Sequence, residues 1–566
     1  MMANWAVRLA HARMFRKPTG AVVLLSALLL GLLGPVAAEA RKFYDDDPLL
    51  KEPPPMPLED ARFRKLNDYY DLFSNMFGGI GEQHGEEDSK TQAGGKQGLI
   101  PAAGVNTLGE VLDSAWFTNR IAACPMSIDE IRRGPGDGNA PSTEGQWTIV
   151  GAKTQGVTPG FRIRDSRGHN YLLKFDPRRY PEMATGADII GSHLFHALGY
   201  NVPENYLVVF DEDTLVLGDD VKVTDETGEK QPMSRRDVTA ALARVPRRED
   251  GQIRGLASFF LPGKILGEFR YYGTRMDDFN DIVLHEHRRD LRGLFVFCAW
   301  LNHNDSRAIN TLDSLVEEDD RKFIRHYLID FGAILGSASV VSNTARDGNA
   351  YFWEMKPALA QILTLGIFVP RWARAKYVKH PALGTIEYPS FEPEQWKPNY
   401  PNPTFQNRLP DDEFWAAKKV MAFTDEQLRA VVKLSQYSDT RAEKWITDYL
   451  IKRRDRIGEV YFAKVLPLDD FRVEGGELKF EDLGVKHGLM GSRSLQAVWS
   501  RFDNESEAHT AIAGASGFRL PAAVTGGSHG EYFAAKVHGG DENKTVTVYL
   551  RKQGQDLAVV GVDRTW

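Results

Sequence analysis

The sequence predicts an α+β protein with a β-rich segment, a helix-rich segment and a small C-terminal β domain. Three observations carry this. Residues 147–175 form short runs of alternating apolar and polar side chains, broken by Gly-containing turns. Residues 184–198 place Ile189, Ile190, Leu194 and Leu198 on one helical stripe, and Leu291 to Trp300 reads as a buried helix. Beyond Leu468 the pattern returns to short strands, such as 494–499, 532–537, 545–550 and 557–562.

The chain has 566 residues, too many for one ordinary core, so two or three folded units are expected. Apolar residues make up 42% and charged residues 26%, and eleven Trp with thirty Phe argue for packed cores over disorder. The net charge of -7 gives no basic footprint, so nucleic acid is not an expected partner.

Residues 1–40 read as a secretory signal. Arg8, Arg13, Arg16 and Lys17 precede an apolar run from Ala21 to Leu33, and small residues follow at Val36-Ala37-Ala38 and Ala38-Glu39-Ala40. The run is short for a spanning helix, and nothing else in the sequence reads as a membrane span. The expectation is an exported protein, periplasmic or extracellular, tethered to the membrane if the signal is uncleaved. Cys124 and Cys298 make neither a disulfide framework nor a zinc site. Cys298, inside an apolar run, reads as a core thiol.

Residues 41–105 are rich in Pro, Gly and charge and read as a flexible tether, with one short amphipathic helix from about Leu58 to Met76. Residues 106–145 carry Trp116-Phe117 and read as an arm packed on the next unit. Strands at 147–150, 161–164, 171–175, 206–210 and 214–217, with the helix at 184–198, make a β-rich unit over 146–220. Residues 221–470 form the helical unit, with helices near 412–422, 425–435 and 440–461. Within it, Thr311 to Val316 and Phe323 to Ile329 flank an acidic turn and read as a hairpin. Residues 474–566 form the C-terminal β domain.

Four features bear on chemistry. Asp330-Phe331-Gly332 stands at a strand end, where a carboxylate followed by Gly is well placed to hold Mg²⁺ against phosphate oxygens. Upstream, Asp305 and Asn310 are separated by four residues in a loop that follows the buried helix. Lys174 lies on a strand, where it would neutralise phosphates, and needs a carboxylate on the following helix; Asp188 fits helical spacing better than Glu182. The loop from Gly151 through Gly156 to Gly160 offers backbone N–H groups to phosphates. Taken singly, each has a plain structural reading: Asp330 caps a turn, Lys174 snorkels from an edge strand, Asn310 fixes a loop. Their order along the chain is what argues for a site.

In that order, over residues 146–465, the chain resembles the protein-kinase-like superfamily. Leu328 to Gly336 is similar to the metal-binding loop of phosphatidylinositol kinases, and the compact loop Asn304 to Asn310 resembles HipA-type and secretory-pathway atypical kinases. The resemblance implies a bilobal protein-kinase-like fold, with a β-rich N-lobe and helical C-lobe. It implies ATP or another nucleotide with Mg or Mn as cofactors. Lys174 and Asp188 would be the phosphate-binding ion pair, Asp305 the catalytic base, and Asn310 and Asp330 the metal ligands. The chain departs from the pattern in having His303-Asn304-Asp305 instead of His-Arg-Asp, no G-x-G-x-x-G, and Asp for the usual helix Glu. Asp113 to Phe117 and Tyr171 to Pro177 also resemble a family of large exported bacterial proteins, a likeness that supplies no function.

The expected function is phosphoryl transfer to a hydroxyl on a protein, lipid or small molecule. The alternative is a kinase-like scaffold without transfer, since exported compartments are poor in ATP. A third reading, an exported hydrolase or metal enzyme, rests on His285-Glu286-His287. That cluster lacks the spacing that puts two histidines on one helix face and reads as a solvated helix start. The aromatic segment Trp396 to Phe405 reads as packing of a wrapping stretch.

Overall fold

Alternating burial builds the first sheet of the computed structural model, which describes residues 41–79, 91–153, 160–224, 230–354, 363 and 369–566. Residues 1–40, read above as the export signal, lie outside them, as does Gly156. Strands β1 (Trp147–Ala152), β2 (Gly160–Arg164) and β3 (Asn170–Lys174) bury Trp147, Ile149, Phe161, Ile163, Tyr171 and Leu173 on one face. Helix α2 (Met183–Leu198) follows, then β4 (Asn205–Phe210) and β5 (Leu215–Leu217). The label α1 is given to the earlier helix Asp68–Phe77.

The six-stranded sheet runs β4-β6-β3-β2-β1-β5, where β6 is Ile253–Phe259. That strand comes from beyond residue 220, so the sheet crosses the expected border between a β unit at 146–220 and a helical unit at 221–470. The sequence hid β6 because Ile253 to Ala257 is buried on both faces and carries Gly255, leaving no alternation to read. The molecule is a mixed α+β protein with several sheets.

Strand β7 (Lys264–Gly267) pairs with β8 (Thr311–Glu318), which pairs with β9 (Arg321–Leu328). Glu318 faces Arg321 across a two-residue turn at Asp319 and Asp320. Both have positive φ, 49° and 59°, as the tight hairpin turn matching strand twist requires. Helix α3 (Arg289–Leu301) precedes this hairpin and is buried on every side. It packs on α4 (Pro410–Met421) and α6 (Thr440–Phe462), with the Trp300 indole donating to the Leu450 carbonyl at 2.9 Å. Between these lies α5 (Asp425–Leu434), whose Thr424 and Gln427 close a capping box. The bounds of α4, α5 and α6 fall within a few residues of the expected ones, because each combines periodic apolar residues with a cap or an N-terminal Pro.

At the C-terminus, β12 (Gln496–Phe502), β13 (His509–Ser516), β14 (Tyr532–His538), β15 (Thr545–Gln553) and β16 (Asp556–Arg564) form an antiparallel sheet in the order β13-β12-β14-β15-β16. A hairpin of β10 (Leu468–Glu474) and β11 (Glu477–Asp482) stands beside it. Trp499, Phe533, Val548 and Leu550 fill a core of their own.

Residues 41–79, expected as part of a flexible tether, pack against the rest of the molecule. Phe43 is buried against Phe502, Tyr532 and Tyr549. Leu58 and Ala61 join Leu266, Leu315 and Ile324 in a small core over the hairpin sheet. The helix expected over 58–76 is confined to α1, because Arg64 pairs with Gly267 and its N–H donates to Leu266, holding the earlier residues extended.

Candidate functional site

Strand alternation that buries Tyr171 and Leu173 turns Lys174 to the other face of the first sheet. There its ammonium donates to Asp330 Oδ1 at 2.9 Å and to Asp188 Oδ2 at 3.2 Å. Three distant pieces of chain therefore meet at one cation: a strand, a helix and the turn after a hairpin. The Asp188 side chain is only 3% exposed and that of Lys174 13%, whereas Asp330 keeps 43% of its side chain open. Burial pushes Asp188 up to about 6 against the pull of Lys174. Lys174 itself holds Asp330 below the usual carboxylate range, and the two carboxylates raise Lys174 against its burial. Asp188 Oδ1 is buried with no hydrogen-bond partner.

The face of α2 that carries Asp188 also carries Gly191 and Phe195, three and seven residues on. Phe331 stacks on Phe195 with centroids 4.9 Å apart and planes at 19°. A Cβ at Gly191 would lie 2.4 Å from Phe331 Cβ, so only glycine lets the turn approach. Asp330 has φ of 62°, a left-handed conformation that starts the short turn Phe331–Ala333. Gly332 then passes so near that an added Cβ would lie 3.1 Å from Asp188 Oδ2.

The hairpin brings the second group alongside. Thr311 pairs with Leu328, and the Ile329 N–H donates to the Asn310 carbonyl at 3.0 Å. Asn310 and Asp330 thus flank the same mouth, and the residues between them are taken up by the two strands. Asn302, with φ of 52°, ends α3 and opens the loop. Within it the Asn310 amide donates to Asp305 Oδ2 at 2.9 Å and to the Asp305 carbonyl at 2.7 Å. Asp305 Oδ1 takes the Asn399 amide at 2.9 Å and lies 2.5 Å from Arg307 Nε. His303 is buried beside Phe195 and Phe331, its Nδ1 without a partner, and burial lowers it to about 4.

All the side chains expected at the site that lie among the described residues take part in these two groups. Lys174, Asp188 and Asp330 are in direct contact, as are Asp305 and Asn310. Gly160 lies directly across from Lys174 on the neighbouring strand. Sequence reasoning missed four participants, Asn399, Arg307, Asp68 and Tyr400. Asn399 sits in the Pro- and Trp-rich segment read as packing, and it also holds Asn304 through backbone and side chain. Arg307 joins Asp305 to Asp68 of α1, with its NH1 2.5 Å from Asp68 Oδ2, and Tyr400 donates to the same carboxylate at 3.2 Å. Asn399 lies in a stretch with no periodicity and Asp68 in a helix read as part of a tether, and only the fold brings them to the loop.

His285, Glu286 and His287, expected as a solvated helix start, are buried in a short helical turn. His285 pairs with Asp281 at 2.8 Å and His287 with Arg292 at 2.6 Å, so the cluster is a packed ion network. Among the described residues no three His, Cys, Asp or Glu side chains form a metal cage. Cys124 and Cys298 are free thiols, the latter fully buried.

No family model matches the chain, and no curated protein matches it. Among solved structures, a crystal structure of the Golgi casein kinase with Mn/ADP bound is similar at 10% identity, over 59% of this chain and 74% of that one, with a TM-score of 0.28. A second crystal structure of the Golgi casein kinase is similar at 10% identity, over 60% and 77%, with the same TM-score of 0.28. Likeness this slight fixes neither the fold family nor the chemistry.

Proposed function

We propose that the protein is an atypical kinase-like phosphotransferase that moves the terminal phosphoryl group of ATP or another nucleotide to a hydroxyl group. The observation behind this is the convergence of Lys174, Asp188 and Asp330 beside the hairpin mouth that holds Asp305 and Asn310. In this reading Lys174 neutralises phosphate oxygens and Asp188 fixes the lysine. Asn310 and Asp330 hold Mg or Mn, which supplies charge neutralisation at the phosphate oxygens. The residues fit such an ion, since Asp330 keeps 43% of its side chain exposed and Asn310 is held beside it by the Ile329 N–H. With so few carboxylates, such an ion would rely on phosphate and water oxygens for its remaining ligands, as Mg²⁺ prefers.

Asp305 takes the acceptor proton at Oδ2, the oxygen engaged by one side-chain donor, while Asn399 and Arg307 hold Oδ1. The acceptor is a protein, lipid or small molecule bearing a hydroxyl. The protein acts after export, in the periplasm or outside the cell. Among the described residues no helix is long and apolar enough to cross a membrane.

Thermal-shift titration with ATP and Mg²⁺ or Mn²⁺ tests the binding step. A ligand that binds only the folded state raises the midpoint by mass action. The expected result is a metal-dependent rise that Asp330→Ala abolishes. No rise with any nucleotide and metal would overturn the reading. Asp305→Asn is expected to keep nucleotide binding and lose transfer to any acceptor, water included.

A second reading, a kinase-like envelope protein that binds without transferring, is favoured by one observation. Both Asp305 oxygens are already engaged by Asn310, Asn399 and Arg307, so an acceptor hydroxyl would have to share Oδ2 with the Asn310 amide. On that reading nucleotide binds, no γ-phosphate is ever released, and the C-terminal β domain captures the partner.

A further inference from the structure

One cation near the site has no part in the scheme above. Lys153 directly follows β1, and its N–H donates to the Gly160 carbonyl at 3.0 Å. Ala152 pairs with Phe161 and Gly160 pairs with Lys174, so Lys153, Gly160 and Lys174 stand in one row across three strands. Phe161 points into the core, which turns this row to the opposite face, where Lys174 meets its two carboxylates.

Gly160 is the gap in the row. A Cβ there would lie 2.5 Å from the Leu173 carbonyl oxygen, 3.0 Å from Lys153 Cδ and 3.4 Å from Lys153 Cβ. The Lys153 side chain therefore lies across the bare backbone of Gly160, running from the strand end toward Lys174. Its charge is felt within the same cluster. Burial lowers Lys153 from the ordinary lysine value, Lys174 lowers it further, and Asp330 and Asp188 raise it.

We propose that Lys153 is a second phosphate-binding lysine, laid over Gly160 beside Lys174 so that two ammonium groups grip the polyphosphate of a nucleoside di- or triphosphate. This rests on the nucleotide-binding reading above and adds to it the group that discriminates a polyphosphate from a bare nucleoside. Two lysines balance Asp188 and Asp330 in the free protein. With Asp330 holding the divalent cation and Asp188 fixing Lys174, as in the reading above, both ammonium groups would face the phosphates. A chain of several negative charges then meets two cations set on a rigid sheet, at positions that a side chain at 160 would have separated.

The test is calorimetric titration of the mature protein with ATP, ADP and adenosine, each with Mg²⁺, beside Lys153→Met, Lys153→Arg and Lys174→Met. Lys153→Met is expected to weaken ATP and ADP by about tenfold or more, the loss of one charge-assisted contact, and to leave adenosine unchanged. Lys153→Arg is expected to restore most of the loss. The unliganded thermal midpoint of Lys153→Met should match wild type, and Lys153→Gln serves where it does not. ATP affinity of Lys153→Met equal to wild type, with Lys174→Met impaired, overturns the proposal and leaves the nucleotide site standing. Equal losses for ATP and adenosine also overturn it, because they mark a fold defect. If wild type binds no nucleotide, the functional reading itself falls and this proposal with it.

Discussion

His303 shows how a single buried side chain sets the acid response of the site. Its ring packs beside Phe195 and Phe331, and Asp305 and Asp330 both favour its charged form, yet burial wins and lowers it from 6.5 to about 4. In the unfolded chain the same ring binds a proton at its ordinary value. Between these two values the unfolded state holds more protons than the folded one. Stability therefore falls as pH drops from about 6.5 to about 4, and is flat in this term above 6.5. His303→Gln is expected to remove that part of the slope. The check is the thermal midpoint of both proteins across pH 4–7, where the gap between them should narrow as pH falls. Parallel curves would remove His303 from the account. At this scale much of the site was legible. Lys174, Asp188, Asp305, Asn310 and Asp330 are singled out by their order in the sequence, and each sits where periodicity places a strand, a helix, a loop or a strand end. Asn399 and Arg307 were not legible, since an amide in a Pro-rich stretch and an Arg in a loop carry no pattern until the Asn399 amide meets Asp305 Oδ1.

Helix α1 raises the next question, of what holds an element whose exposed face is aromatic. Tyr69, Tyr70, Phe73 and Phe77 are all more than half exposed, so burial contributes little to its anchoring. Asn67 caps it through the N–H groups of Tyr69 and Tyr70. Asp68 then ties it to Arg307 and Tyr400, and through Arg307 to Asp305. Asp68→Ala is expected to cost about 1 kcal/mol, the usual scale for a partly exposed ion pair. Hydrogen exchange should rise in two places together, over 68–77 and over 303–310, because the two segments share Arg307. A rise confined to 68–77 would show that the loop keeps its shape without the helix. The hairpin was readable for the opposite reason. Its two strands are adjacent in sequence and its turn is acidic and short, so local chemistry alone defines it. Strand β6 escaped because a fully buried strand with a central glycine resembles nothing in particular.

Across the whole molecule, the N-terminal stretch acts as a strap. Lys42 and Phe43 attach to the C-terminal sheet through Asn504, Asp563 and the Phe502–Tyr532–Tyr549 cluster. Leu58 and Arg64 attach to the hairpin sheet, Asp68 to the Asp305 loop, and Thr107 returns to Val560 and Val562. Composition concealed this. Outside the short helix, the anchors are single side chains spaced far apart among Pro and charged residues, so no period marks them, and each meets a different part of the fold. Phe43 is the anchor whose removal tests the strap. It is 1% exposed, and Gly561 is bare where a Cβ would stand 2.3 Å from its ring. Phe43→Ala should cost about 3–5 kcal/mol, the range for emptying an aromatic site in a core. A loss of that size, with protease cleavage appearing first within residues 41–60, would show that the strap and the sheet are stabilised together. A loss below about 1 kcal/mol would mean that the sheet closes over the gap, since the penalty scales with the cavity that survives relaxation. In that case the Lys42–Asp563 ion pair and the bond from the Phe43 N–H to Asn504 Oδ1 would be the contacts that hold the strap in place.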